Sequence, residues 1–338
     1  MTNLSIRILT SFFFVFALAI LVLAFTQRSY ADDIRTDVGI DEPIPPIEGM
    51  PTLDRNRVAL GKRLFEDTLL SSKQAFSCMS CHDLTTGGTV RDKRTVGYNG
   101  RMHRFNAPSI FNVGLNYRLG WRGNFTSLEK QNEAVLLDRN LMAMSWGEVV
   151  ARLRANPSYV SEFEKAFGQP IRREDVLEAL ATYERSLVTP NAPFDRYLRG
   201  DRQAISQEAV DGYRLFKMFG CASCHQGMNA GGNVFQKFGI FFESKSTEGP
   251  MDNGDLGRWT ITHAERDIGV FRVPSLRNVE LTAPYFHDGR TASLHEAVKM
   301  MGQTQLGQEI SNRDTDNLVE FLKSLTGELN GRSLKPAN

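Results

Sequence analysis

Two five-residue stretches decide the architecture of this chain: CMSCH at residues 78–82 and CASCH at residues 221–225. Together they contain all four cysteines of the 338 residues. The Cys-x-x-Cys-His string is the attachment motif of c-type haem, in which two thiols bond the porphyrin vinyl groups and the histidine ligates the iron. Zinc binding and thiol redox chemistry also use Cys-x-x-Cys, but neither explains a histidine at the next position on both occasions.

The two motifs therefore predict two covalently bound c-type haems. The predicted haem-binding residues are Cys78, Cys81, His82, Cys221, Cys224 and His225. In this interpretation His82 and His225 are the proximal iron ligands. If all four thiols hold haem, no disulfide can form, so stability has to come from packing around two large apolar porphyrins.

The first 31 residues have the pattern of a secretory signal. A basic Arg7 precedes an apolar run at residues 12–25, and the small residues Ser29 and Ala31 follow it. The run is shorter than the roughly twenty residues of a spanning helix, which favours cleavage after Ala31 over an uncleaved membrane anchor. Residues 1–31 are therefore a predicted signal peptide, and the periplasm is the predicted location of the body of the protein.

Charge in this chain is nearly balanced, with 40 Lys and Arg residues against 39 Asp and Glu residues. No strongly basic face for nucleic acid is expected from such a balance. The length beyond residue 31 is sufficient for two domains of ordinary size. Outside the motifs, His263 and His295 are expected at the surface, and His287 is expected to be structural or to lie near the propionates of the second haem.

The sequence around the first motif recurs around the second, which indicates an internal duplication. Three segments occur twice at corresponding positions: GKRLF at 61–65 and GYRLF at 212–216, GG at 87–88 and 231–232, and PSIFNV at 108–113 and PSLRNV at 274–279. Extending the last match without gaps aligns Trp121 with His287 and Val135 with Met301. Two haem domains of one ancestral type are expected, at residues 32–188 and 189–326.

Helical patterns predominate, so a mostly α fold of two cytochrome c-like domains is predicted, each with one covalently bound c-type haem. Residues 173–188 and 146–155 carry apolar side chains at helical spacing, and Ser311 can cap a further helix. Residues 187–201 contain two prolines and no amphipathic period, which is typical of an interdomain linker. Strand patterns are limited to short ones at residues 234–242 and 259–261.

The sixth iron ligands decide the chemistry, because a haem with two strong protein ligands transfers electrons and one with an open position can bind peroxide or oxygen. Met301 is the candidate sixth ligand of the second haem, and the alternative is that Met300 or Met301 only fills the core. Its counterpart Val135 cannot ligate iron. The first haem is therefore open or closed by another segment, for which Tyr98 and His103 are the nearby candidates.

The chain resembles the bacterial di-haem cytochrome c peroxidases and their MauG-type relatives. The resemblance runs from about Leu53 to Gly327. It is carried by LGKRLF at 60–65, RFNAPS at 104–109, TPNAPFD at 189–195 and FRVPSLRNVELTAPYFHDG at 271–289. It implies two cytochrome c-like domains, with a tail at residues 327–338 that returns toward the N-terminal domain.

The resemblance also implies roles for individual residues. Met301 matches the methionine of the electron-transferring haem, and Trp121 matches a tryptophan thought to pass electrons between the haems. Gln131 matches a glutamine on the distal side of the peroxide-binding haem. The implied calcium site consists of Asn106, Thr282 and Pro284, which is reasonable oxygen chemistry for a hard cation.

Two departures from the family pattern concern the first haem. Tyr98 stands where most of these peroxidases carry a displaceable distal histidine, and it could donate a proton or ligate the iron as a phenolate. Leu141 stands where they carry the distal glutamate that acts as general acid and base. Glu133 and Asp138 are the candidates to replace that carboxylate.

Three functions are weighed. The leading hypothesis is an exported peroxidase that reduces hydrogen peroxide to water, with electrons from a small cytochrome c or a cupredoxin. The second is a MauG-type oxidase that modifies a residue of a partner protein, and the third is a non-enzymatic di-haem electron carrier. The resemblance allows a homodimer, although no dimer face is evident in the sequence.

Overall fold

The computed structural model describes residues 42–98, 100–241 and 254–335. The described residues from Pro43 onward form one compact unit. The predicted signal peptide at residues 1–31 lies outside the described residues. Within the described ranges, no helix has both the length and the apolar character needed to cross a membrane.

The described residues are mostly helical, as predicted. The α-helices are α1 (Arg55–Glu66), α2 (Leu128–Leu137), α3 (Trp146–Arg154), α4 (Pro157–Phe167), α5 (Arg173–Ser186), α6 (Pro193–Leu198), α7 (Gln207–Met218), α8 (Trp259–Thr262), α9 (Leu294–Met301) and α10 (Asn312–Lys323). The strands are β1 (Phe235–Lys237), β2 (Val270–Arg272), β3 (Glu328–Leu329) and β4 (Arg332–Ser333). β1 pairs antiparallel with β2, and β3 pairs antiparallel with β4.

Side-chain caps mark the start of two of the three predicted helices. Ser145 and Glu148 form a capping box at the start of α3, which ends before Asn156 and Pro157 as expected. Ser311 caps α10 by accepting from the backbone N–H of Asp314 at 3.1 Å. The helices predicted at 146–155, at 173–188 and after Ser311 are thus confirmed, with ends that differ by one or two residues.

The structure corrects the linker predicted at residues 187–201. Pro193 begins α6, where proline is well tolerated because the first N–H groups of a helix have no intrahelical partner. Phe194 and Asp195 are fully buried, and the Asp195 carboxylate pairs with Arg277 at 2.6 Å. The segment is therefore part of a core. The predicted strand at residues 259–261 is also wrong, because these residues belong to helix α8.

Two hydrophobic cores organise the fold. The first core is built from residues between Leu60 and Leu187, and the second from residues between Phe194 and Leu325 together with Ile44. In the first core α1 crosses α5 at Gly61, and in the second α7 crosses α10 at Gly212. The two crossings are equivalent in the duplication, and each helix pair follows the same plan.

The chain segment before α1 packs on the second core, although the sequence division assigns it to the first domain. Ile44 is completely buried there. The carbonyl oxygen of Pro43 accepts from the Gly227 N–H at 2.7 Å, and that of Pro45 accepts from Arg277 Nη2 at 3.0 Å. Arg277 thus connects this segment with the buried carboxylate of Asp195.

The two halves meet in a buried polar network around Thr189. The Thr189 hydroxyl accepts from Asn112 Nδ2 at 2.7 Å and from Asn278 Nδ2 at 2.9 Å. Asn112 Oδ1 accepts from the Thr189 N–H at 2.8 Å, and Asn278 Oδ1 accepts from the Gly327 N–H at 3.0 Å. Since both asparagines adopt φ near +60° and begin equivalent 3₁₀ turns, the network reproduces the internal duplication in three dimensions.

The C-terminal segment forms the β3–β4 hairpin. Its Leu329 and Leu334 pack against the first core, and the Glu328 N–H donates to the carbonyl of Pro190 at 2.9 Å. The hairpin therefore carries the chain from the second core back to the first.

Replacing Gly212 with alanine should destabilise the protein by about 3 kcal/mol, because the new Cβ would overlap the backbone carbonyl of Asn317 and force α7 and α10 apart. Urea unfolding of the holoprotein measures the effect. Gly147→Ala in α3 is the matched control, since no atom lies within 4 Å of that Cβ position, and it should leave stability equal or slightly higher. Equal midpoints for the two variants would contradict this account of the crossing.

Candidate functional site

A cavity of about 380 Å³ lies next to the second haem motif. Cys221, Cys224 and His225 line it, together with Met301 from the end of α9. Most of its other lining side chains are apolar: Phe216, Phe271, Val273, Leu276, Val298, Leu306, Leu318 and Leu322. This combination of an apolar cavity, two thiols and an imidazole fits a covalently attached haem.

The backbone of each motif holds its reactive side chains in one tight turn. Cys221–Ser223 is a 3₁₀ helix that follows Gly220 at φ 80°, and the His225 N–H donates to the Cys221 carbonyl at 3.0 Å. Cys78–Ser80 forms the same turn, in which the His82 N–H donates to the Cys78 carbonyl at 3.0 Å. A turn of this kind brings the two thiols and the imidazole of each motif close together.

Burial keeps the motif imidazoles neutral. It lowers the pKa of His225 to about 4, and it also lowers the pKa of His82. His82 Nδ1 donates to the Gly88 carbonyl at 3.3 Å, which leaves Nε2 as the nitrogen for a metal. A neutral imidazole is the form that ligates iron.

Burial also raises the pKa of three of the four motif thiols, Cys81 among them. It raises the pKa of Cys221 to about 11, and it raises that of Cys78 as well, with Glu184 adding to the effect. Thiol redox chemistry uses a thiolate with a lowered pKa. The raised pKa values therefore argue against a redox-active Cys-x-x-Cys and agree with haem attachment.

Arg272 adds a charged group to the second cavity. Its side chain is 5% exposed, and its Nε donates to the carbonyl of Gly120 at 3.0 Å. Burial lowers the pKa of this guanidinium to about 10, so the site favours an accompanying anion. Haem carries two propionates, and a buried cation lining the cavity fits such a group.

The structure separates the two candidate methionines. Met301 lines the second cavity and is followed by the π-helical turn Gly302–Leu306. The Met300 sulfur instead accepts a weak hydrogen bond from the Thr291 hydroxyl at 4.0 Å. Val135, the counterpart of Met301, packs against the first core. The position of Met301 agrees with a ligand role, while Met300 serves packing.

The duplication identifies the positions near the first motif that correspond to the lining of the second cavity. In the second half, Ala297 and Val298 of α9 line the cavity. The ungapped match aligns them with Gln131 and Asn132 of α2. Two apolar positions of the second half are therefore polar in the first.

A third position follows from the backbone contacts of α5 and α10. The Asn112 N–H donates to the Leu187 carbonyl at 2.8 Å, and the Asn278 N–H donates to the Leu325 carbonyl at 3.3 Å. These contacts align Leu187 with Leu325, so three residues earlier Glu184 corresponds to Leu322, which lines the second cavity. The sequence alone did not single out Glu184 as a candidate site residue. Its alignment with Leu322 becomes visible only through the backbone contacts of α5 and α10.

Glu184 is a buried carboxyl group with one well-defined partner. It is 7% exposed, and its Oε2 accepts from Asn132 Nδ2 at 2.7 Å. Burial raises the pKa of Glu184 to about 8, while Asn132 and Arg185 partly offset the rise and Glu129 adds to it. At neutral pH this group is therefore mostly an uncharged acid.

The structure places Tyr98 beside the chain that leads into the first motif. Its ring packs edge-on against Phe76 at 4.8 Å, and its hydroxyl accepts from the Lys73 N–H at 3.2 Å. His103 is half-buried in a neighbouring loop, where its Nδ1 lies 3.3 Å from the Phe105 carbonyl. Both side chains lie in this region of the first half, and Tyr98 has the direct contacts to the segment before Cys78.

The two carboxylates considered as replacements at Leu141 are engaged elsewhere, which corrects that expectation. Glu133 pairs with Arg173 and accepts from Trp146 Nε1 at 2.9 Å. The hydrogen bond from Arg173 is the main cause that lowers the pKa of Glu133. Asp138 is exposed and accepts from the Asn140 N–H at 2.7 Å. Glu133 is thus held in an ion pair, and Asp138 lies at the surface.

Gln131 offers a free acceptor near the first motif. Its Oε1 is buried and has no hydrogen-bond partner within the described part of the chain. Unsatisfied buried acceptors are uncommon, and they often mark a site that a bound group completes. This is consistent with a position on a binding site for a hydrogen-bond donor.

Trp121 lies where residues of both halves meet. Its Nε1 donates to the Asn106 carbonyl at 2.8 Å, and its own carbonyl accepts from the Arg272 N–H at 2.8 Å. Its ring meets that of His287 edge-on at 6.4 Å, and both rings line the second cavity. Trp121 and His287, which the duplication aligns, are thus direct neighbours.

The three residues of the expected calcium site line the same cavity. Asn106 is buried and its Nδ2 donates to the carbonyls of Asp92 at 3.2 Å and Lys93 at 3.1 Å. Thr282 and Pro284 approach from the segment after the 3₁₀ turn Val279–Leu281. Residues from both halves thus line one cavity, and each of the three carries an oxygen of the kind that a hard cation prefers.

His287 makes structural contacts and also lines the second cavity, so both expectations for it stay predictions. Its Nε2 pairs with Asp255 Oδ1 at 2.9 Å, and its ring stacks on Phe271 at 4.3 Å. Arg290 contacts Asp255 at 3.3 Å and Asp288 at 2.6 Å, which balances the carboxylates around it. His263 and His295 are both exposed, as expected.

Comparison with known proteins agrees with this geometry. A model of the family described as di-haem cytochrome c peroxidase matches residues 55–203. The chain is 39% identical over 292 residues to the cytochrome c551 peroxidase of Nitrosomonas europaea. The match covers 85% of this chain and 85% of that protein. It is 33% identical over 302 residues to the methylamine utilization protein MauG of Methylorubrum extorquens, and this match covers 85% of this chain and 82% of that protein.

A solved structure is similar as well. It is the crystal structure of a MauG-like protein associated with microbial copper homeostasis, with a TM-score of 0.75 at 27% identity, and the match covers 87% of this chain and 96% of that one. The chain belongs to the di-haem cytochrome c peroxidase family. The family implies two c-type haems, in agreement with the two motifs.

Glu184→Gln should change how stability depends on pH. Because burial raises the Glu184 pKa from 4.5 to about 8, the folded state keeps a proton that the unfolded chain has lost. The contribution of this proton to the free energy of unfolding is complete below pH 4.5. It is lost as the pH rises toward 8, at about 1 kcal/mol per pH unit. Urea unfolding of the holoprotein from pH 5 to pH 8 should show a shallower decline for the variant.

Glu174→Gln is the control for that measurement, because Glu174 lies on the same helix with an exposed side chain. The free energy of unfolding of this variant should decline with pH as that of the wild type does. A Glu184→Gln curve parallel to both would mean that Glu184 is ionised in the folded protein.

Proposed function

We propose that this chain is an exported di-haem cytochrome c peroxidase that reduces hydrogen peroxide to water with electrons from a small cytochrome c or a cupredoxin. The observation that carries the proposal is that the two sites, although they are equivalent in the duplication, carry different side chains. The second has Met301 in its cavity lining, whereas the first has Val135 at that position and polar residues at neighbouring ones. One site suits electron transfer and the other suits binding of a small oxidant.

In this proposal two cytochrome c-like domains each hold one covalently bound c-type haem. The N-terminal domain, residues 32–188, holds the peroxide-binding haem, and the C-terminal domain, residues 189–326, holds the electron-transferring haem. The cavity beside the second motif and the neutral imidazoles of both motifs support this assignment. The haems, when bound, supply the redox-active iron. The protein supplies ligands, hydrogen bonds and exclusion of water.

The side chains have separate tasks. Cys78 and Cys81 would hold the first haem and Cys221 and Cys224 the second, with His82 and His225 as iron ligands and Met301 as a further ligand of the second haem. Gln131 would use its free Oε1 to accept a hydrogen bond from peroxide. Tyr98, held by the Lys73 N–H and Phe76, would govern access to the first site.

Trp121 is the proposed electron relay between the two sites. Its hydrogen bonds to the Asn106 carbonyl and from the Arg272 N–H tie it to both halves. An aromatic ring held rigidly between two redox groups shortens the path that an electron must cover. A calcium ion held by Asn106, Thr282 and Pro284 would stiffen the same region.

An exported, periplasmic protein is proposed on the basis of the signal pattern in residues 1–31, which suits haem attachment outside the cytoplasm. The proposed partners are hydrogen peroxide and a small soluble electron donor, and a homodimer is compatible with the family. These statements about location and assembly rest on the sequence pattern and on the resemblance.

One observation favours a second candidate, a MauG-type oxidase that modifies a partner protein. Leu141 replaces the carboxylate that the peroxidases of this family place there, and the structure engages Glu133 and Asp138 elsewhere. An enzyme with slow donor turnover could retain oxidising equivalents for a protein substrate.

The test is peroxide-dependent oxidation of a reduced small cytochrome c by the fully oxidised and the half-reduced holoenzyme, side by side. Turnover in both states is expected, because no distal histidine has to leave. Turnover only after half-reduction would indicate that Tyr98 or His103 is a displaceable ligand. Absence of turnover in both states, with two low-spin haems that ignore peroxide, would establish the electron carrier instead.

Met301→Val copies the first site into the second, and it should convert the second haem from low-spin to high-spin and lower its reduction potential, because a thioether ligand raises the potential. Optical spectra and redox titration of the fully loaded protein measure both effects. Met300→Val is the matched control and should preserve the wild-type spectrum. Identical spectra for Met301→Val and the wild type would exclude Met301 as a ligand.

A further inference from the structure

We propose that Glu184 and Asn132 form a proton-holding pair at the first haem site, and that Glu184 supplies a proton to hydrogen peroxide there. In the related peroxidases a glutamate at the position equivalent to 141 is the general acid, but this chain has Leu141 there. The pair would take over that role. The inference rests on the proposed peroxidase function, and it extends it to two residues that the sequence comparison did not single out.

The first support is position. Leu322 and Val298 line the second cavity, and the duplication places Glu184 and Asn132 at the corresponding points of α5 and α2. Both positions therefore face the space that the first haem would fill, by the same helix arrangement. The second half shows that this scaffold accepts two apolar side chains at these points.

The second support is the hydrogen bond between the two residues. Asn132 Nδ2 donates to Glu184 Oε2 at 2.7 Å, which leaves Oε1 to carry the acidic proton. An amide that donates to one oxygen fixes the orientation of the carboxyl group. The amide thus sets the direction in which the proton points.

The third support is the group's surroundings. When it is ionised, Glu184 raises the pKa of the Cys78 thiol, which puts its carboxyl group within electrostatic range of a haem-attaching sulfur. The charged groups that face it are Arg185 on its own helix and Glu129 on α2, and these two form an ion pair with each other. Since that pair is nearly neutral as a whole, burial dominates and Glu184 keeps its proton at neutral pH.

The chemical balance requires two protons and two electrons for each hydrogen peroxide, which yields two water molecules as the O–O bond breaks. The electrons come from the reduced donor protein by way of the proposed relay. Glu184 Oε1 gives one proton and becomes a carboxylate, which solvent reprotonates before the next turnover. The other proton comes from water. An acid with a pKa near the working pH is suited to this exchange.

Three variants of the fully loaded protein test the inference. Glu184→Gln removes the proton but keeps the shape. Asn132→Val/Glu184→Leu copies the second half, so it removes the proton without leaving an unpaired amide in the core. Glu174→Gln, an exposed carboxylate on the same helix, is the control.

The first readout is the infrared C=O band of a protonated carboxyl group, which does not depend on activity. It should be present in the wild type and in Glu174→Gln, be absent in both Glu184 variants, and fade in the wild type as the pH passes about 8. A band that survives in both Glu184 variants would overturn the inference, because the proton would then reside elsewhere.

The second readout is kcat for peroxide reduction as a function of pH. Both Glu184 variants should lose about 100-fold in kcat with unchanged haem content, which is the usual size of a general-acid contribution. They should also lose the wild-type decline above pH 8. Variants that keep the wild-type rate and pH profile would overturn proton delivery by Glu184.

The two proposals can fail separately. If the wild type oxidises no donor with peroxide while the infrared band behaves as expected, the peroxidase function is wrong and proton delivery to peroxide falls with it. If the wild type turns over and the double variant does so equally well, only the role of Glu184 is wrong.

Discussion

The buried hydroxyl of Thr189 is the contact on which the arrangement of the two sites depends. It accepts from both Asn112 and Asn278, at 2.7 and 2.9 Å, in an environment where all three residues are at most 1% exposed. Because an unpaired amide would be costly at such depth, the network allows one relative placement of the halves. Each asparagine begins the 3₁₀ turn that follows the PS-x-x-N segment of its half. The separation of the two haem motifs is therefore set by polar contacts as well as by apolar packing.

Upon this common plan the two halves diverge at a few side chains. Gly61 and Gly212 allow the same helix crossing, and both motifs form the same tight turn. The second half then fills its helix positions with apolar residues and Met301, while the first half has Val135, Asn132 and Glu184. A duplicated scaffold can thus present two different sets of side chains at equivalent positions without any change of fold.

Much of this could be predicted from the sequence, since the motifs, the caps and the periodic helices are local signals. The linker at 187–201 was misjudged because proline in the first turn of a helix resembles proline in a loop, and only the burial of Phe194 and Asp195 distinguishes the two. Glu184 was missed for a different reason. The first half has the additional helices α3 and α4 between α2 and α5, so an ungapped match cannot reach the helix that carries it.

The energetics of Glu184 explain why it is informative. A buried carboxyl group has to lose its hydration, and a single hydrogen bond from Asn132 replaces only part of it. The equivalent Leu322 avoids this cost entirely, so packing alone would favour leucine at both positions. A costly buried carboxyl group at the position equivalent to a cavity-lining leucine is the usual sign of a compromise between stability and activity. The half that lacks the methionine is also the half that holds a buried acid with a raised pKa, and the proposed proton delivery at the first motif would use both differences.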